Sequence, residues 1–106
     1  MEITDIQTIE EFQSVVTNNN QMLLLKHSLT CPISDSANQA FQQFSEHTDT
    51  PLYRLYVQNA RTLSDYIAKT HQIKHESPQA IKFEDGKPIW NASHFDITAD
   101  NLKKMV

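Results

Sequence analysis

The hydrophobic pattern of the chain switches several times between the helical period and the strand period. After residue 32, apolar side chains recur every three or four positions, at Ile33, Ala37, Ala40, Phe41 and Phe44. This spacing places them on one face of an amphipathic helix. The apolar run at residues 22–25 comes shortly before it and is typical of a buried strand. The pattern therefore predicts a core strand, a short loop and a helix packed on the resulting sheet.

The N-terminal part predicts one more helix and a short strand. Thr8 and Glu11 have the spacing of a capping box, and Ile9, Phe12 and Val16 follow at helical spacing. The polar run at residues 18–20 is expected to end this helix. Residues 3–4 could form a short edge strand.

The middle of the chain predicts a second core strand and a third helix. Residues 52–57 are rich in apolar, aromatic and β-branched side chains, as expected for a central strand. Leu63 and Ile67 mark a helix with Thr62 as a possible N-cap. Two strands separated by a helix pair in parallel through a right-handed crossover.

The C-terminal third predicts a hairpin followed by a final helix. Residues 79–83 and 88–90 read as strands on either side of Asp85-Gly86, a strong hairpin signal. Residues 98–105 read as a short helix. The whole order predicts a single α/β domain over residues 1–106, with a central mixed sheet of about four strands flanked by helices.

Composition narrows the classes of function. The chain has 106 residues, nine Lys and Arg and a formal net charge of −4, which disfavours nucleic-acid binding. No apolar run is long enough to cross a membrane, and the first residues lack the pattern of a signal peptide. A lone cysteine excludes an internal disulfide and fits a reducing cytoplasm. We expect a cytoplasmic protein, without a membrane partner and without a bound metal or cofactor.

The chemistry is expected at Cys31. It precedes Pro32, a residue favoured at the first helical position, so Cys31 is predicted to be the N-cap. Its sulfur could then accept hydrogen bonds from the amides of Ile33 and Ser34, at the positive end of the helix dipole. Such a position favours the thiolate and suits reversible thiol–disulfide exchange. The alternative is a buried structural cysteine without a chemical role.

The element order, with a cysteine opening the helix after the first core strand, resembles the thioredoxin fold. Ser34 stands where the redox motif Cys-x-x-Cys has its second cysteine. Four blocks together closely resemble the monothiol bacilliredoxin family: Lys-His-Ser at 26–28, Thr-Cys-Pro-Ile-Ser at 30–34, His-Glu-Ser-Pro-Gln at 75–79 and Ser-His at 93–94. The similarity extends over nearly the whole chain.

The resemblance implies removal of bacillithiol from mixed disulfides on client proteins, by a protein expected to act as a monomer. Cys31 would be the attacking thiolate, with Thr30, Pro32, Ile33 and Ser34 as its neighbours and bacillithiol as co-substrate. Ser34 could donate a hydrogen bond to the thiolate but could not resolve a disulfide. The fold also implies a cis-proline facing the sulfur, which Ser77-Pro78 matches. Contacts to the substrate are expected from Ser77, Pro78 and three basic side chains in loops around Cys31, which are Lys26, His75 and His94.

Other interpretations remain open. His94 could contact substrate, or it could have only a local capping or packing role. His27 and Cys31, like His71 and His75, are four residues apart, but both pairs straddle element ends, so a zinc site is disfavoured. The alternative from another functional class is a non-catalytic thioredoxin-like module that docks a peptide along Ser77-Pro78.

Overall fold

The computed structural model describes residues 1–105. Within that range, strands and helices alternate along most of the chain, and a single β-hairpin interrupts the alternation. The elements are β1 (Ile3–Asp5), α1 (Ile9–Asn18), β2 (Gln21–His27), α2 (Pro32–Ser45), β3 (Leu52–Tyr56), α3 (Arg61–His71), β4 (Gln79–Glu84), β5 (Lys87–Ser93), a 3₁₀ turn (His94–Asp96) and α4 (Ala99–Met105).

The strands form one mixed sheet in the order β1-β3-β2-β4-β5. β1 and β2 both pair in parallel with β3, whereas β2–β4 and β4–β5 are antiparallel. The predicted α/β class and mixed sheet are confirmed, as are the parallel pair and the hairpin. The sheet has five strands rather than about four, because the short segment Ile3–Asp5 pairs along the free edge of β3.

The core lies on both faces of the sheet because β2 is central and buried on both sides. Met22 and Leu24 pack in one cluster with side chains of α1 and α3, whereas Leu23 and Leu25 pack in the other with side chains of α2 and α4. Consecutive side chains of a strand point to opposite faces, which explains the continuous apolar run. None of the helices described is long and apolar enough to span a membrane.

The start of α1 follows the predicted capping chemistry, whereas the start of α3 does not. The predicted capping box is present, since Thr8 Oγ1 accepts from the Glu11 N–H and the Glu11 carboxylate accepts from the Thr8 N–H. The prediction of Thr62 as the N-cap of α3 is wrong, because the helix begins at Arg61 with Ala60 as its N-cap. The Ser64 N–H already donates to the Ala60 carbonyl at 2.9 Å, so Thr62 lies inside the first turn.

Among residues 1–105, four have positive φ, and each of these ends or reverses an element. Asp85 and Gly86, with φ of 53° and 78°, form the two-residue connection between β4 and β5. A turn with both central residues at positive φ matches the twist of a hairpin. Gln72 ends α3 at φ 54°, and His94 follows β5 at φ 53°.

Candidate functional site

Cys31 lies at the N-terminus of α2, on a loop that leaves the carboxyl end of β2. It is the N-cap residue, in extended conformation, and Pro32 occupies the first turn, as predicted. The side chain is half-buried and the thiol is free. Cys31 is therefore partly accessible to solvent at the start of the helix.

The sulfur does not cap the helix. Within residues 1–105 it has no hydrogen-bond partner, so the prediction that it accepts from the amides of Ile33 and Ser34 is wrong. The Ser34 N–H instead donates to the carbonyl oxygen of Cys31 at 3.0 Å. The Ser34 hydroxyl is fully buried and accepts from the Ser28 N–H at 3.3 Å, so it braces the loop beneath the thiol. Ile33, next to Pro32 in the first turn, is half-buried.

Gln58 also holds this loop, and sequence reasoning missed it. Its amide oxygen accepts from the Leu29 N–H at 3.0 Å, and its amide nitrogen donates to the Ser28 and Thr30 hydroxyls at 2.9 and 3.3 Å. The available signal was its place just after β3, because neighbouring parallel strands end at the same edge of the sheet. Thr30 is thus part of a fixed loop.

Ser77-Pro78 lies at the same end of the sheet as Cys31. The peptide bond before Pro78 is cis, as the resemblance implied. The β2–β4 register pairs Lys26 with Gln79, so Pro78 stands beside the end of β2 where the loop to Cys31 begins. The Pro78 carbonyl accepts from the His94 N–H at 3.0 Å. The structure therefore brings His94, whose side chain is exposed, against the loop that holds Pro78.

Lys26 is not in a loop beside Cys31, so that expectation is wrong. It belongs to β2, its side chain is fully buried, and it points to the face covered by α3 because residues alternate along the strand. The ammonium group donates to the carbonyl of Ser64 at 3.3 Å and lies 3.4 Å from Nδ1 of His75. Burial lowers the pKa of Lys26 to about 8, against the opposing charge of Asp65.

His75 lies in the loop between α3 and β4, and its side chain is exposed. Its Nδ1 is 3.2 Å from the Ser64 hydroxyl as well as being close to Lys26. Partial burial and then the positive charge of Lys26 hold the pKa of His75 below its ordinary value. Ser64, which joins α3 to this loop, was not predicted to contribute, because a serine within a helix gives no distinctive sequence signal.

The two histidine pairs considered for zinc do not form a site. His27 is buried under the start of α2 with its ring edge-to-face on Tyr56, and His71 packs between the rings of Phe12 and Phe83. Residues 1–105 contain no group of three His, Cys, Asp or Glu side chains placed to hold a metal ion. Burial and the nearby Arg54 lower the pKa of His27, which favours its neutral form.

Solved structures share this fold. A structure described as a candidate oxidoreductase with a thioredoxin fold superposes with a TM-score of 0.92 at 43% identity, over 96% of this chain and 91% of the other. An N21Q mutant thioredoxin from Halobacterium salinarum NRC-1 gives 0.82 at 19% identity, over 99% and 88%. A reduced thioredoxin pre-protein from Schistosoma mansoni gives 0.80 at 14% identity, over 99% and 95%. The last two show the thioredoxin fold alone.

A protein-family model narrows the assignment. The model described as "Monothiol bacilliredoxin BrxC" matches residues 4–102, which is nearly the whole chain. The single cysteine of the sequence agrees with a monothiol enzyme. The chain therefore belongs to the monothiol bacilliredoxin family and is a thiol–disulfide oxidoreductase of thioredoxin fold.

Proposed function

We propose that the protein removes bacillithiol from mixed disulfides on cytoplasmic client proteins, with Cys31 as the only nucleophile. The observation that carries the proposal is the position of the lone cysteine. Cys31 is half-buried and free at the start of α2, next to the loop of Pro78, in a chain of the monothiol bacilliredoxin family.

The reaction has two exchange steps. The Cys31 thiolate attacks the bacillithiol sulfur, so a disulfide forms between Cys31 and bacillithiol while the client cysteine leaves as a thiolate and takes up a proton. A second bacillithiol thiolate then attacks the bacillithiol sulfur on Cys31. That step regenerates Cys31 and releases bacillithiol disulfide, which carries the oxidation away. No second protein cysteine takes part, and the sequence has none.

The polar contacts around the thiol support such a site. Ser34 and Gln58 both hold the loop at residues 28–30 that leads into Cys31, which fixes the backbone that carries the sulfur. The Ser34 hydroxyl accepts a hydrogen bond from the Ser28 N–H, so its oxygen is held against the loop before Cys31 while its own hydrogen is still available to donate.

The test is turnover of a bacillithiolated client peptide by purified protein with bacillithiol as reductant. Cys31→Ser is expected to abolish release of the client thiol and to keep the fold. The parent protein is expected to gain the mass of bacillithiol at Cys31 when the second thiol is withheld. His47→Ala, at an exposed position in the loop after α2, is the matched control. Turnover by Cys31→Ser would refute the mechanism, and peptide binding without turnover by the parent would favour the non-catalytic module.

A further inference from the structure

A buried positive charge lies directly behind the loop that precedes Pro78. Lys26 has no exposed surface, and its ammonium group contacts the Ser64 carbonyl and the His75 Nδ1. Gln79, next to Lys26 in the sheet, donates through its amide to the Lys74 carbonyl at 3.2 Å. Contacts from side chains of β2, α3 and β4 therefore hold the loop at residues 74–75 in place.

These contacts determine which nitrogen of His75 carries the proton. A lysine ammonium group can only donate hydrogen bonds, so the Nδ1 atom 3.4 Å from it must be the acceptor. The Ser64 hydroxyl, 3.2 Å from the same nitrogen, can also donate to it. A neutral imidazole that accepts at Nδ1 has its N–H at Nε2.

The Nε2 side of the ring is free to meet a ligand. His75 is exposed, and among residues 1–105 the Nε2 atom has no hydrogen-bond partner. Two residues later the Ser77 hydroxyl is buried and also lacks a partner in that range. Of the charged groups around His75, Lys26 and Arg61 lower its pKa, whereas Asp65 and Glu76 raise it. Of the charged groups, Lys26 acts on the ring most strongly, so an acceptor with negative charge is favoured.

Bacillithiol carries malate carboxylates. We propose that His75 binds an oxygen of one of these carboxylates through its Nε2–H, and that Lys26 is a positioning residue which fixes this tautomer. The inference rests on the proposed function, since it assigns the part of the mixed disulfide that this loop recognises. Lys26 itself touches no substrate. It holds the His75 ring neutral, oriented and polarised from behind.

The first experiment reads the tautomer without any substrate. Long-range ¹⁵N–¹H correlation spectra of the parent near neutral pH are expected to show His75 with its proton on Nε2. In Lys26→Met the preference for that tautomer is expected to weaken, while the remaining amide spectrum shows an intact fold. A proton on Nδ1 in the parent, or an unchanged His75 tautomer in Lys26→Met, would overturn the assignment.

The second experiment asks which oxygen is bound. One peptide is prepared as a mixed disulfide with bacillithiol and, separately, with cysteamine, which has no carboxylate. His75→Leu is expected to raise KM about tenfold for the bacillithiolated peptide, the size of a lost charge-assisted hydrogen bond, with little change in kcat. His75→Gln, which keeps an N–H donor, should recover most of that loss. His47→Leu is the control.

The loss is expected only with the bacillithiolated peptide. An equal rise in KM for the cysteamine peptide would mean that His75 contacts the client, and no rise for either peptide would mean that it contacts neither. Both outcomes overturn the inference while turnover by the parent persists. Absence of turnover in the parent would instead refute the proposed function, and the carboxylate contact with it.

Discussion

Lys26 combines full burial with a positive charge that no carboxylate within residues 1–105 contacts directly. Its partners are a carbonyl oxygen and a ring nitrogen, both neutral acceptors. Taking an ammonium group out of water is costly, and Asp65 offsets this only from a distance. The side chain therefore lowers the stability of the fold at neutral pH, in return for a fixed loop before Pro78.

Lys26→Met should raise the free energy of unfolding at neutral pH. The pKa of Lys26 falls from 10.5 to about 8 in the folded protein. Between these values the unfolded chain binds more protons, so the stability of the parent rises with pH there. The rise is up to about 3 kcal/mol. In urea titrations from neutral pH to about 10.5, the free energy of unfolding of the parent should rise relative to that of Lys26→Met.

Lys69→Met, at an exposed position of α3, is the control for this series and should follow the parent at every pH. Parallel stability curves for the parent and Lys26→Met would contradict the lowered pKa.

Ser34→Cys should convert the site into a dithiol that closes on itself. Residues three apart at a helix start are neighbours, with Cβ atoms about 5–6 Å apart, and a small shift at the N-cap brings them within disulfide reach. Oxidation should therefore remove both thiols without forming a dimer, as read by thiol titration and mass. Ser36→Cys, exposed on the same helix, should leave both thiols free. Two free thiols in oxidised Ser34→Cys would show that the side chains face apart.

Two local structures follow most directly from short sequence motifs: the start of α2 and the β4–β5 turn. Cys31-Pro32 and Asp85-Gly86 are short signals with a backbone meaning, and the structure has each of them where it was predicted. At both places the conformation follows from the residues themselves, because proline fixes its own φ near the helical value and glycine, without a side chain, permits the positive φ of the turn.

Gly86→Ala should destabilise the hairpin through its backbone alone. Gly86 has φ 78°, and a Cβ added there would meet no atom within 4 Å. The left-handed conformation costs an L-residue about 1–2 kcal/mol, so urea unfolding should show a loss of about 1 kcal/mol. Gly86→Asn should lose less, because asparagine tolerates this conformation better. Equal stability of Gly86→Ala and the parent would contradict the positive φ.

Site residues were predictable from the sequence where their contacts are local, and were missed or misplaced where their partners are distant in sequence. The positions of Cys31, Pro32 and Pro78 were predictable from short motifs and the resemblance. Lys26 was misplaced because a polar residue after an apolar run resembles a strand exit, and only the positions of Ser64 and His75, 38 and 49 residues away, explain its burial. Gln58 was missed for the same reason, since its contacts span 28 to 30 residues.

At the scale of the molecule, one sheet separates two apolar clusters that share no side chain. Ile67 belongs to the cluster under α1 and α3, and Ile97 belongs to the one under α2 and α4. Both clusters contain side chains of β2, from alternate positions of the strand. Loss of apolar packing on either face of the sheet should therefore destabilise the same strand, β2.

Ile67→Val and Ile97→Val should each lower the free energy of unfolding by about 1 kcal/mol. The double variant should lose about the sum, because the two sites share no partner. Unfolding should remain one transition by circular dichroism and fluorescence, as expected for a single domain. Ile89→Val, 54% exposed on β5, is the control. Separate transitions for the two faces would contradict a single cooperative unit.

The left-handed residues have a consequence for how this protein could evolve. The chain contains a single glycine, so three of the four left-handed positions found in the described part of the chain carry side chains. Gln72 ends α3 in the left-handed conformation, where helices favour glycine. Gln72→Gly should therefore raise the free energy of unfolding by as much as about 1 kcal/mol. At His94 the same exchange would delete a side chain beside the Pro78 loop. A stabilising substitution is thus still open at the end of α3, away from Cys31 and Pro78. The stability gained there could offset the loss caused by later mutations that improve or redirect the chemistry of the site.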